Sequence, residues 1–283
     1  MNVRQLDISR RSIALAAALI GTVSLAIGAH AALNMRALDA AKAVSTDQVT
    51  GSVSQTSSRL ALVIGNGHYP DASAPLTQSI NDARALSSSL RKNGFDVDMV
   101  EDASKDDMVR AVNRLKSRIK RDTTVLLFFG GYGVQAGRES YMLPVDAVIW
   151  KERDVRRQGI SIEGVLEMMK EQGAKAKLVV VDASRRNPYE RRFRSYSHGL
   201  APIGTPDNAL ILSSASPGKV VDDGKGEHST LVTELLNNLN AQGTAESVFN
   251  KTRVAIARAS EGDQVPTVSS SLLEDVHFDQ AGG

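Results

Sequence analysis

The sequence predicts an α/β domain, a three-layer α/β/α sandwich built on a mostly parallel sheet. Several apolar runs of strand length are hydrophobic almost throughout, as strands covered on both faces must be. Between them lie longer segments whose apolar residues recur at helical spacing. The order strand then helix repeats along the chain, which requires right-handed crossovers and helices on both sides of the sheet.

The strands expected are Leu60 to Ile64, Phe95 to Val100, Thr124 to Phe129, Leu178 to Val181 and Ala209 to Leu212. Leu76, Ile80, Ala83, Leu86 and Leu90 share one helical face, and Asn93-Gly94 supplies a left-handed stop. Ser104 and Asp107 have the spacing of a capping box ahead of the stripe Met108, Val112, Leu115 and Ile119. Ile162, Val165, Leu166 and Met169 predict a third helix, Leu231, Leu235, Leu236 and Leu239 a fourth, and Thr244 to Ala259 a fifth.

Upstream of the domain the chain changes character. Arg4, Arg10 and Arg11 precede an Ala/Leu/Ile-rich run from Ser12 to Leu33 that contains Ala29-His30-Ala31, the pattern of an export signal with a cleavage site. Residues 1–33 are expected to be a signal peptide or, uncut, an N-terminal membrane anchor, residues 34–58 a flexible linker, and residues 59–279 the folded domain. Exported, periplasmic or anchored facing the periplasm is the expected localisation. Membrane contact is expected only through an uncleaved N-terminal segment.

Composition removes several functions. Lys and Arg number 34 against 32 Asp and Glu, so no charge excess argues for nucleic acid as a partner. The chain has no cysteine, which excludes disulfides, Cys-ligated metal and a thiol nucleophile. Scattered histidines without ligand spacing give no reason to expect a metal or other cofactor. Ile64-Gly65-Asn66-Gly67 lacks the third glycine of a dinucleotide fingerprint, and Pro70 stands where its helix would open.

In parallel sheets, functional groups collect in the loops beyond the strand C-termini. Two such loops stand out: Gly130-Gly131-Tyr132-Gly133 and Asp182-Ala183-Ser184-Arg185. Together with Leu62-Val63-Ile64-Gly65-Asn66, Asn81-Asp82-Ala83-Arg84, Tyr141 to Ala147, Arg186-Asn187-Pro188, Gly199-Leu200-Ala201 and Asp223-Gly224 followed by Ser229, they occur in the order of the caspase-like peptidases. The chain resembles in particular the stand-alone bacterial domains related to metacaspases, the orthocaspases. The resemblance implies a caspase-like fold and cysteine endopeptidase ancestry.

The resemblance also implies roles by position. Tyr132 stands where the family has its general-base histidine and Ser184 where it has its nucleophilic cysteine. The family's histidine precedes its cysteine by about 50 residues, and Tyr132 precedes Ser184 by 52. A serine hydroxyl needs an adjacent base, and tyrosine, with a pKa of about 10, is a poor one. A working cysteine protease is therefore not expected. What the resemblance leaves is recognition: Asp82 and Asp182 match the acidic pocket that selects Arg or Lys, and Gly133 matches the backbone oxyanion donor. A basic peptide or protein segment is the partner implied. Alternatively, Ser184 acts as the nucleophile of a serine hydrolase if His68 or His228 approaches it. The basic stretch from Arg185 to Arg194 is expected to be solvated charge.

Overall fold

The computed structural model describes residues 58–70, 75–189, 199–221, 226–239 and 243–278. The proposed export segment and nearly all of the linker lie outside them, as do Arg191, Arg192, Arg194, His198, Asp222 and Asp223.

Six strands form the central sheet: β1 (Arg59–Gly65), β2 (Asp96–Glu101), β3 (Thr124–Gly130), β7 (Ala176–Asp182), β8 (Ala209–Ser213) and β9 (Thr267–Ser270), in the spatial order β2-β1-β3-β7-β8-β9. The first five are mutually parallel and β9 runs antiparallel to β8. The expected α/β/α sandwich is observed. Alternate side chains of each strand serve two cores, which is why the runs are apolar throughout. Leu62, Ile64, Leu127, Phe129, Val179 and Val181 pack against helices α2 (Lys105–Arg118) and α4 (Ile162–Glu171). Ala61, Val63, Leu126, Phe128, Leu178 and Val180 pack against α1 (Thr77–Lys92), α5 (Thr230–Leu239) and α6 (Ala245–Ala259). Each of the larger side chains, fully buried, contributes about 1.5–3 kcal/mol.

Helix ends follow local chemistry. Ser104 and Asp107 form the reciprocal capping box at the start of α2, and Thr244 caps α6 by accepting from Ser247 N–H. Helix α1 stops at Asn93, and Gly94 takes the left-handed φ of +79° that its missing Cβ permits.

A second, antiparallel sheet is absent from the sequence-based expectation. Strands β4 (Gly133–Ala136), β5 (Glu139–Met142) and β6 (Ile160–Ser161) form it, with the short helix α3 (Glu152–Gln158) between the last two. These strands have two to four residues each, too short to show a period. Strand β9 was missed for the same reason: it has four residues, only partly buried.

Topology sets the position of the site. The chain goes from β1 outward to β2, then crosses back to β3 on the other side of β1. Gly65, Gly130 and Asp182 lie at one level, as Gly65 is in register with Gly130 and Gly130 with Asp182. The loops that follow them therefore emerge side by side from the C-terminal edge.

Candidate functional site

Tyr132 and Ser184 occupy neighbouring loops after β3 and β7, and both are buried, at 7% and 1% exposure. The loops are joined by backbone hydrogen bonds: Gly131 N–H donates to Asp182 O (3.2 Å) and Gly133 N–H to Ala183 O (3.1 Å). The Gly133 N–H, expected from the sequence to stand at the oxyanion-donor position, is thus engaged within the fold. Gly133 is glycine for close packing, since a Cβ there would stand 2.7 Å from Leu200 Cδ2 and 2.9 Å from Ala183 Cβ.

The Tyr132 ring is an element of a small core. It meets Tyr69 edge-to-face, with centroids 4.9 Å apart, and the Tyr69 hydroxyl accepts from Tyr132 N–H and donates to Leu143 O. Burial pushes the Tyr69 phenol well above its ordinary pKa, so it remains a neutral donor. Asn66 completes this framework: its amide donates to Leu143 O, its carbonyl accepts from Ala103 N–H, and its backbone N–H reaches Gly130 O. The glycine-asparagine turn after β1 is therefore architectural.

The basic stretch requires a correction at its first residue. Arg185 is 5% exposed, so it is not solvated charge. Its guanidinium donates to Gly131 O and Asp182 O and lies 3.6 Å from Asp182 Oδ1, which ties the β3 loop to the end of β7. Arg186, next along, is exposed as expected.

Asp82 projects from α1 and is 1% exposed. It accepts from Ser229 N–H and pairs with His228 Nδ1 at 3.0 Å, both from the segment that starts α5. Gln78, a residue that sequence reasoning passed over, holds the same segment by donating to Gly226 O and His228 O. Burial, followed by the neighbouring Asp182 charge, pushes the Asp82 carboxyl up to about 6, against the hydrogen bonds from Ser229 and His228. Asp82 and Asp182 thus share one electrostatic site although they are distant in sequence.

That site contains buried polar atoms without partners among the described residues. Asp182 Oδ2 receives no hydrogen bond, and neither does the hydroxyl of Ser79, one turn before Asp82. Ser79 lies over Gly130, the strand neighbour of Asp182, because a Cβ at Gly130 would come 3.5 Å from Ser79 Cβ. Two buried carboxylates and a buried hydroxyl are thereby gathered at the strand ends.

The described histidines have other partners. His68 Nδ1 is 2.6 Å from Asp102 Oδ2, His228 pairs with Asp82, and His277 approaches Gly243 O. Among the described residues, no group of three or more His, Asp or Glu is placed to hold a metal.

Residues 58–277 match the family described as "Caspase domain". The chain belongs to the caspase-domain family. It is similar to mucosa-associated lymphoid tissue lymphoma translocation protein 1 of Homo sapiens and to its homolog in Mus musculus, each 28% identical over 137 residues. The alignment covers 47% of this chain and 16% of each relative, so the chain spans a minor part of the curated relatives it matches. In this caspase-domain chain the β3 and β7 loops lie side by side at the C-terminal edge of the mostly parallel sheet.

Proposed function

We propose that this caspase-domain chain is an exported, catalytically silent member of the metacaspase-related branch that binds a basic side chain, Arg or Lys, presented by a peptide or protein. One observation carries the reading. Two buried carboxylates from separate elements, Asp82 and Asp182, converge at the strand ends, and Asp182 Oδ2 has no donor among the described residues. A buried carboxylate oxygen left without a donor is costly, and a guanidinium or ammonium supplies several. That accounts for both the acidic pair and the empty acceptor.

Silence is supported by residue chemistry and by packing. Ser184 lacks thiol reactivity, the family's histidine position holds a tyrosine packed on Tyr69, and the described histidines hydrogen-bond elsewhere. No observation favours a serine hydrolase over this reading. Export is supported by the charged and then apolar N-terminus. N-terminal sequencing of the mature product in the producing cell would reveal cleavage near Ala31, and a cytoplasmic, uncleaved and membrane-free product would contradict export.

The decisive measurement is calorimetry with short peptides ending in Arg, Lys or Asp. Binding of the basic peptides that is abolished by Asp182→Asn and by Asp82→Asn supports the proposal. Equal binding of all three peptides, or none at all, would sink it.

A further inference from the structure

The insertion between β5 and β6 carries a surface separate from the acidic pocket. Ala147, Ile149 and Val155 are buried in the small core with Val134, Tyr141 and Leu143. Their neighbours face solvent: Val148 is 48% and Trp150 61% exposed. The backbone here is fixed, because Asp154 accepts from the N–H groups of Trp150 and Lys151, at 3.2 Å each, where α3 begins.

Exposed cations follow Trp150 along the chain. Lys151, Arg153, Arg156 and Arg157 are all exposed, whereas Asp154 is buried and pairs with Arg157. From residue 148 to 157, Glu152, which pairs with Arg156, is the remaining carboxylate and is exposed. The Arg156 guanidinium also overhangs the β4–β5 turn, where a Cβ on Gly137 would meet Nη2 at 2.6 Å, next to the exposed Arg138.

We propose that Val148, Trp150 and the cations that follow them dock the domain on an anionic lipid bilayer. An indole beside Lys and Arg suits the headgroup region, where the ring enters the interface and the cations meet acidic lipids. Charge complementarity selects the occupant: from residue 148 to 157, four exposed cations stand against one exposed carboxylate, which suits an acidic surface.

The chain has a single tryptophan, so its emission reports on this patch alone. The full chain, titrated at low salt with phosphatidylcholine vesicles containing about one-third phosphatidylglycerol, is expected to shift its emission to the blue, reversibly with added salt. Pure phosphatidylcholine vesicles leave the emission unshifted even where the N-terminal run inserts, because that run contains no tryptophan. Paired Lys151→Glu and Arg153→Glu retain the probe at exposed positions, with folding checked by circular dichroism. They weaken the lipid dependence by more than tenfold, at about fivefold for each cation lost. An unshifted emission with anionic vesicles overturns the proposal. So does an equal shift with neutral vesicles, or a shift induced by soluble polyglutamate but not by vesicles, which would assign the patch to an acidic protein.

Discussion

Gly133 donates its backbone N–H to the carbonyl of Ala183 across 3.1 Å, which joins the residue after Tyr132 to the residue before Ser184. Tyr132 and Ser184, the positions proposed to correspond to the family's catalytic pair, are thus held by the fold itself, at a contact that leaves no room for a side chain. Gly133→Ala would press a methyl onto Leu200 and Ala183 and is expected to lower stability by about 1–3 kcal/mol. Gly204→Ala, at a position where a Cβ meets nothing within 4 Å, is expected to change it by less than about 0.5 kcal/mol. Urea denaturation of the two variants measures the difference.

The tyrosine framework gives a second expectation. Tyr69→Phe removes the hydroxyl that serves both Tyr132 N–H and Leu143 O. Tyr132 N–H loses this acceptor and Leu143 O keeps the Asn66 amide as donor, at a cost of about 1–3 kcal/mol. By contrast, Arg114→Ala breaks an ion pair to Asp98 in which Arg114 is 51% exposed, and the expected loss is below about 1 kcal/mol. Thermal melts should rank the two variants in that order.

Restoring the family dyad tests catalytic silence. The unmodified chain and Ser184→Ala are expected to give the same background on Arg- and Lys-ending reporter substrates. Because nucleophile and base act as a unit, Tyr132→His alone and Ser184→Cys alone should remain at background, and only the double variant should rise above it. Turnover by the unmodified chain that disappears in Ser184→Ala would refute silence. The Gly133 N–H already bound to Ala183 predicts that even the restored pair is slow, since an oxyanion donor must be free to act.

Binding of a basic ligand should depend on pH through Asp82. Its carboxyl, raised to about 6, is protonated in the folded state at pH values where an unfolded chain has already ionised it. A cation binds the ionised form, so affinity is expected to rise as pH increases from 5 to 7, with proton release on binding. For the free protein the sign is opposite. The folded state holds the extra proton between about pH 4 and 6, so this group's contribution to stability falls as pH rises through that window. The difference between the parent and Asp82→Asn isolates the effect, and repeating it in a His228→Gln background removes the imidazole paired with Asp82. A flat affinity profile from pH 5 to 7 would contradict the assignment.

Much of the fold was legible because buried parallel strands and amphipathic helices write their periods into the chain. Leu60 to Ile64, Thr124 to Phe129 and the stripe from Leu76 to Leu90 could be read directly, as could the capping box at Ser104. The family was legible because its short motifs recur in order. Strands of two to four residues have too few positions for a period, so β4, β5, β6 and β9 had to wait for the structure. Only tertiary structure made Arg185 a buried clasp, because burial depends on what packs above a residue. It alone brought His228 and Ser229 to Asp82 and the 226–228 segment to Gln78, seated Tyr132 on Tyr69, and engaged the Gly133 N–H with Ala183. These relations join residues dozens of positions apart. Local sequence encodes backbone preference and hydrophobic period, whereas the partners of a polar group are fixed only when separate strands and helices meet.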